Sequence, residues 1–168
     1  MLSASQAKSA FWEGYRSPTL TDWVKFFSDL DGARWAMAGT ITLYEVHPTT
    51  FRRRHHDDVI GTAKHILYRI NKTIFNHRAE RHQATIASVM ILGDGILGLP
   101  SHIHFTFGKP DSMSYEELQE LVVRVIRAST WCNKEFDLQP YRDRGWLSYL
   151  LAHGTEKLII ECCRKASF

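Results

Sequence analysis

The sequence predicts a single α+β domain built around an antiparallel sheet. Three observations support this fold class. Runs with a two-residue period and many β-branched residues indicate strands, stretches with apolar residues at helical spacing indicate helices between them, and a Gly-rich segment joins two strands as a hairpin. A chain of 168 residues is also long enough to bury one sizeable core. We therefore treat residues 1–168 as one domain.

The N-terminal half is predicted to contribute an extension, one strand and one long helix. Residues 1–35 are expected to form a helical extension ahead of the domain core, which spans about 36–155. The stretch MAGTITLYEV at 37–46 alternates apolar and polar positions and is rich in Thr, Ile and Val, as strands are. Asp57 and Asp58 favour the start of a helix, because carboxylates stabilise the positive end of the helix dipole.

The C-terminal half is predicted to continue with a hairpin, a helix and further elements. Residues 84–92 and 99–110 form the two hairpin strands on either side of the Gly-rich turn. Ser114 and Glu117 have the spacing of a capping box, so a helix is expected to begin there. The remaining elements are a fourth strand, a short helix and a last strand, at residues 134–140, 144–154 and 157–163. The order β-α-β-β-α-β is the split βαβ, or ferredoxin-like, pattern, with helices on one sheet face and the other face open.

The composition is typical of an intracellular globular protein without a membrane segment. No apolar run approaches the roughly 18 residues of a membrane-spanning helix, and the N-terminus has no apolar signal region. The three cysteines form no CxxC pair, which favours reduced thiols in the cytoplasm. The net charge of +3 permits nucleic-acid binding, and basic residues cluster in FRRRHH at 51–56 and NHRAERH at 76–82.

Two histidines one residue apart, His102 and His104, are the first candidate site. Because alternate residues of a strand face opposite sides, the neighbouring Ile103, Phe105 and Phe107 are expected to face the core. The imidazoles are then expected on the open face. Two imidazoles at this spacing can ligate one divalent ion, although an isolated HxH is more often a pair of partly exposed strand histidines.

A carboxylate near the histidines is expected to complete a metal site. Asp94 lies eight residues before His102, across the hairpin turn, where antiparallel pairing brings it towards the imidazoles. Its DG sequence is equally typical of a plain turn. Two imidazoles and one carboxylate leave open positions on an ion such as Mn²⁺ or Mg²⁺. The rival third ligands are His82, Glu45 and His47.

Tyr149, on the short helix after the fourth strand, is the candidate nucleophile. A tyrosine beside a metal-bound phosphate can attack phosphorus, whereas the structural alternative is a packed aromatic residue. Tyr141, in QPYRDRG, is the alternative nucleophile.

In this order, the motifs resemble those of the HUH endonucleases, which include rolling-circle replication initiators (Rep proteins), plasmid relaxases and some transposases. The resemblance rests on TITLYE in the first strand, PSHIHF in a central strand and GWLSYLL in a later helix, and covers roughly residues 36–155. It is strongest to the Rep-type proteins, in which the histidine motif precedes the tyrosine. It implies an extra, tyrosine-bearing helix beside the ferredoxin-like sheet.

The resemblance implies metal-dependent nicking and strand transfer on single-stranded DNA through a covalent 5′-phosphotyrosine. Such a reaction belongs to rolling-circle replication or the mobilisation of a mobile element. Rep proteins carry a lysine three or four residues after the tyrosine, where this chain has Ala152 and His153, so His153 or Lys157 is the expected basic helper. No Walker-type sequence follows, which makes a separate helicase the expected partner. The residues expected to contact DNA are Thr40, Thr42, Tyr44, Arg52, Arg53 and Arg54.

Three other functions stay open at this point. A metal hydrolase would use the histidines with water as the nucleophile and would not need Tyr149. A degenerate HUH protein would bind DNA without cutting it. An RNA-recognition module is disfavoured, because it carries base-stacking aromatic residues where this strand presents His102, His104 and Thr106.

Overall fold

The structure of the chain is a computed structural model that describes residues 35–93, 102–142, 144–152, 157–164 and 166–167. Most of the predicted N-terminal extension lies outside the described residues, as do Asp94 and His153. None of the described helices combines the length and the apolar character that crossing a bilayer requires.

Four strands form one antiparallel sheet in the order β2-β3-β1-β4. The described elements, in chain order, are β1 (Trp35–Leu43), α1 (His56–Phe75), α2 (His77–Arg81), β2 (Ser88–Gly93), β3 (His102–Gly108), α3 (Tyr115–Ala128), β4 (Cys132–Pro140), α4 (Arg144–Ala152) and a 3₁₀ helix (Ile160–Cys162). β3 lies between β1 and β2, which α1 connects, and this is a split βαβ connection. The predicted α+β class with an antiparallel sheet is confirmed, and the arrangement is compatible with a ferredoxin-like fold.

Reciprocal capping bonds begin the two long helices. At the start of α3, the N–H of Glu117 donates to Oγ of Ser114 at 3.1 Å, and the N–H of Ser114 donates to the Glu117 carboxylate at 2.7 Å. This is the predicted capping box. At the start of α1, the Asp58 carboxylate accepts the N–H of His55 at 2.7 Å. Each carboxylate thus satisfies a backbone donor that has no partner inside the helix.

The main core lies between one face of the sheet and the helices α1 and α3. Ile103, Phe105 and Phe107 of β3 are fully buried there, as are Met37 and Ile41 of β1. The two Phe rings stack with their centroids 4.4 Å apart. Burying each of these side chains stabilises the fold by about 1.5–3 kcal/mol. The predicted inward orientation of the apolar residues in β3 is confirmed.

The opposite face of the sheet is partly covered by α4. Leu147 of this helix packs with Val89 and Ile91 of β2 and with Leu158 of the C-terminal segment. The expectation of a fully open face is therefore wrong over β2 and β3. The physical reason is that β2 places apolar side chains on both of its faces, so it needs a second layer to bury them.

The C-terminal segment follows the outer edge of β2 without forming the predicted last strand. Isolated bridges join Leu158 to Ile91 and Arg164 to Ser88, and the 3₁₀ helix Ile160–Cys162 interrupts the pairing between them. The expectation of a regular strand is thus wrong. The segment nevertheless supplies hydrogen-bond partners to an edge that would otherwise be open to pairing with another chain.

Candidate active site

The histidine pair lies on the sheet face that carries α4. Within the antiparallel pairing, His104 is opposite Thr40 of β1, and His102 lies between Thr42 of β1 and Gly93 of β2. The two imidazole rings meet edge to face, with centroids 4.7 Å apart. The alternation of the strand therefore places both rings on the face opposite the main core, as predicted.

A threonine hydroxyl orients the buried ring of His104. Nδ1 of His104 lies 2.8 Å from Oγ1 of Thr40, and only 6% of the residue is exposed. When Nδ1 donates its proton to this hydroxyl, the ring's lone pair is on Nε2. Metal-binding histidines typically have one nitrogen held by such a partner while the other coordinates the ion. The predicted contact of Thr40 with DNA stays a prediction, and in the structure its hydroxyl lies against His104.

Gly93 makes room for the ring of His102. A Cβ atom at Gly93 would overlap Cδ2 and Nε2 of that ring. The imidazole thus lies directly across the backbone of β2, in space that every residue except glycine would fill. Sequence reasoning missed this role, because a Gly at the start of a Gly-rich stretch indicates a turn.

Helix α4 places Tyr149 next to His104. Their ring centroids are 6.0 Å apart. Half of the surface of Tyr149 (50%) is exposed to solvent. Trp146, one helical turn earlier, lies 5.5 Å from the Tyr149 ring and 6.3 Å from the His104 ring. The indole Nε1 donates to the carbonyl of Phe105 at 3.3 Å, which attaches α4 to β3. Trp146 is therefore a positioning residue, a role that its spacing alone did not indicate.

The alternative nucleophile, Tyr141, lies at the other end of β1. Its N–H donates to the carbonyl of Ala36 at 3.0 Å, and its ring centroid is 6.3 Å from that of Trp35. Ala36 precedes Thr40 by four residues, which at about 3.3 Å per residue is roughly 13 Å along the strand. The geometry therefore separates Tyr141 from the histidines and brings Tyr149 to them.

A groove of about 340 Å³ lies beside Tyr149, between α4 and the sheet. The residues that line it include Ala38 and Gln139 of the sheet, Arg142 of the segment before α4, and Trp146 and Tyr149 of α4. Its volume is at the lower end of the range for small-ligand sites. The groove combines two aromatic rings with one guanidinium group.

The described residues contain no complete metal site. No group of three or more His, Cys, Asp or Glu side chains in this part of the chain could hold an ion. Asp94 lies outside the described residues, and β2 ends one position before it. The rival ligands are all described, and none of them completes such a group: His82, Glu45 and His47.

The two candidate basic helpers differ in how far the structure describes them. His153 lies outside the described residues. Lys157 immediately precedes Leu158, which bridges to Ile91, and Ile91 in turn pairs with His104. Leu158 is therefore two strand spacings, about 10 Å, from the backbone of His104. Lys157 is the residue next to this bridge along the chain.

The three arginines predicted to contact DNA have different environments. Arg54 is buried, and its guanidinium donates to the carbonyls of Leu43 and Tyr44, so it holds the loop after β1. Arg52 forms a two-bond pair with Asp58, at 2.9 and 2.6 Å, which lowers the pKa of Asp58 to about 2. Arg53 is exposed. Charge alone did not distinguish these roles, because all three share one local sequence.

Comparison with known proteins adds no assignment to this geometry. No protein-family model matches the chain, and neither a curated protein nor a solved structure matches it.

Proposed function

We propose that the chain is an HUH-type, single-tyrosine endonuclease that nicks and rejoins single-stranded DNA, as Rep-type replication initiators do. The observation that carries this proposal is the position of the Tyr149 ring beside His104. A nucleophile can act only where it reaches the phosphate that the metal ion activates. The fold meets this requirement, because it brings the tyrosine helix to the HxH strand although the two are distant in sequence.

The residues around the histidine pair fit a divalent ion such as Mn²⁺ or Mg²⁺. His102 and His104 would hold it, with Thr40 keeping Nδ1 of His104 occupied so that Nε2 is the ligating atom. Asp94 is the proposed third ligand. When bound, the ion polarises the scissile phosphate and stabilises the negative charge that develops during displacement.

Tyr149 supplies the nucleophile in this proposal. Its hydroxyl oxygen attacks phosphorus, a tyrosyl P–O bond forms, and the bond to the 3′ oxygen breaks. The tyrosine proton passes to a basic neighbour, for which His153 and Lys157 are the candidates, and the leaving 3′ oxygen takes up a proton. One phosphoester replaces another, so the step needs no ATP and a later hydroxyl can reverse it.

The DNA strand is proposed to run through the groove beside Tyr149 and past the end of β1. Aromatic rings and cations are the groups with which proteins commonly hold single strands, and the groove offers Trp146 and Arg142. At the other end, Thr42, Tyr44 and Arg53 remain available as contacts. A separate helicase would supply the single strand during replication.

The proposal is tested with a labelled random pool of single-stranded DNA. Incubation with Mn²⁺ is expected to give a denaturant-resistant protein–DNA adduct that EDTA abolishes. Tyr149→Phe and the double variant His102→Ala/His104→Ala are expected to give none, whereas Tyr141→Phe should retain it. An adduct that survives Tyr149→Phe would contradict the assignment.

Two other results would replace the proposal. Cutting without any adduct identifies a hydrolase that uses water, and binding without cutting identifies a degenerate DNA-binding domain.

A further inference from the structure

The loop between β1 and α1, residues 44–55, presents an aromatic ring to solvent. Phe51 is 80% exposed, the highest value among the exposed large apolar residues of the described chain. A single exposed apolar residue is common on protein surfaces and says little by itself. What distinguishes Phe51 is the number of interactions that hold the loop around it.

The backbone of Phe51 has a positive φ of 56°, which bulky residues rarely adopt. Surrounding hydrogen bonds maintain this conformation. The N–H of Phe51 donates to the carbonyl of His47 at 3.0 Å, and the N–H of His47 donates to the carbonyl of Arg52 at 2.9 Å. Nδ1 of His47 accepts the N–H groups of Thr49 and Thr50, both at 3.3 Å. Non-glycine residues in this region persist only where neighbours enforce them, and they cluster at functional sites.

The base of the loop is attached to the fold on both sides. The buried Arg54 donates to the carbonyl of Leu43, and Arg52 is paired with Asp58 at the start of α1. The Arg52 guanidinium also lies 5.2 Å from the centroid of the Trp131 ring. The loop therefore holds the backbone of Phe51 in place before any ligand arrives, so binding does not have to include the entropy cost of ordering the loop.

An exposed arginine follows Phe51 in the sequence, and the loop leaves the sheet at the end of β1 that holds the histidine pair. Of the three arginines that follow Phe51, Arg52 is paired with Asp58 and Arg54 is buried, whereas Arg53 is exposed. The loop leaves the sheet just after Thr42, whose strand partner is His102. It therefore emerges at the end of β1 that carries the histidine pair. Tyr141 lies at the opposite end of β1.

We propose that Phe51 is a base-stacking site, on which one nucleotide of a single DNA strand rests while Arg53 contacts the neighbouring phosphate. Stacking on an exposed aromatic ring is tolerant of base identity and is a common source of single-strand affinity. This inference rests on the proposed function in one respect, namely that single-stranded DNA is the substrate. Phe51 anchors the strand and takes no part in the chemistry at Tyr149.

The test compares two labelled 30-mers, a random-sequence single-stranded DNA and an abasic strand of equal length. Phe51→Ala is expected to weaken binding of the normal strand by about 5- to 150-fold and to leave binding of the abasic strand unchanged. Phe51→Trp should retain affinity. Arg53→Ala should weaken binding of both strands alike. It should also reduce the slope of log affinity against log salt concentration by about one. Tyr68→Leu, at an exposed tyrosine on α1, is the matched control and should change neither strand.

Equal weakening of both strands by Phe51→Ala, or no weakening of either, would overturn the stacking site. An adduct assay at saturating DNA separates this result from the fate of the proposed function. If the adduct forms and DNA binding does not depend on Phe51, only the stacking site is refuted. If DNA binding depends on Phe51 and on the bases but no adduct forms, only the proposed nuclease function is refuted. Failure of the wild-type protein to bind either strand overturns both.

Discussion

Replacing Thr40 by Val removes the hydroxyl that orients His104 and little else. The two side chains have nearly the same shape, and both suit a strand. The hydroxyl lies 2.8 Å from Nδ1 of His104, and the ring is only 6% exposed, so water has little access to replace the lost partner.

Losing this hydroxyl has two costs, one in the free energy of unfolding and one in metal affinity. Leaving a buried imidazole N–H without its acceptor costs about 1–3 kcal/mol. Losing the residue that orients a metal-binding histidine typically reduces metal affinity by about 10- to 100-fold, which corresponds to about 1.4–2.7 kcal/mol. We therefore expect Thr40→Val to raise the Kd for Mn²⁺ by one to two orders of magnitude.

The assay measures free Mn²⁺ by electron paramagnetic resonance during a titration of each variant. Thr42→Val is the matched control, because it makes the same substitution two residues along the same strand, opposite His102. Thr42→Val should bind Mn²⁺ within about twofold of wild type. In Thr40→Val, adduct formation should recover at high Mn²⁺ concentration. Equal Mn²⁺ affinity in the two variants would refute the role assigned to the Thr40 hydroxyl.

Three further changes test other parts of the structure. Gly93→Ala places a Cβ in the ring of His102 and is expected to weaken Mn²⁺ binding at least about tenfold, since overpacking displaces the ring; unchanged affinity in the same titration would contradict this. Tyr115→Phe removes a buried hydroxyl that has no hydrogen-bond partner within the described residues, and should raise the melting temperature in calorimetry by about 2–4 °C; a decrease would count against it. Arg52→Gln should return the pKa of Asp58 from about 2 towards its ordinary 3.8 in an NMR titration. Because the folded-state pKa is depressed, the pair stabilises the fold above pH 3.8 and loses this effect as the pH falls through about 2; a pKa that stays near 2 in the variant would contradict the ion pair.

The features that depend on local periodicity were predictable from the sequence. The two-residue period of β3 was enough to place Phe105 in the main core and His104 on the opposite face. The spacing of Ser114 and Glu117 was enough to place the start of α3. These predictions succeed because each depends only on the residue spacing within one helix or strand. They do not depend on which other element packs against it.

The features that depend on packing between distant elements were not predictable. The sequence did not show that Leu147 would cover β2, because both faces of a fully apolar strand look alike until a partner is known. Nor did it separate the buried Arg54 from the exposed Arg53, since adjacent arginines differ only in what the loop brings to them. The contact between the Thr40 hydroxyl and His104 was not predictable for the same reason, because the two residues are 64 positions apart in the sequence.

We expect Tyr149 to become linked to DNA beside the histidine pair. The most direct measurement locates the linkage by digesting the Mn²⁺-dependent adduct with nuclease and trypsin and sequencing the modified peptide by mass spectrometry. Trypsin separates the two candidate tyrosines, since Tyr141 falls in residues 135–142 and Tyr149 in residues 145–157. We expect a nucleotide phosphate on Tyr149 in the second peptide. The same modification on Tyr141, or DNA cleavage that leaves neither peptide modified, would contradict it.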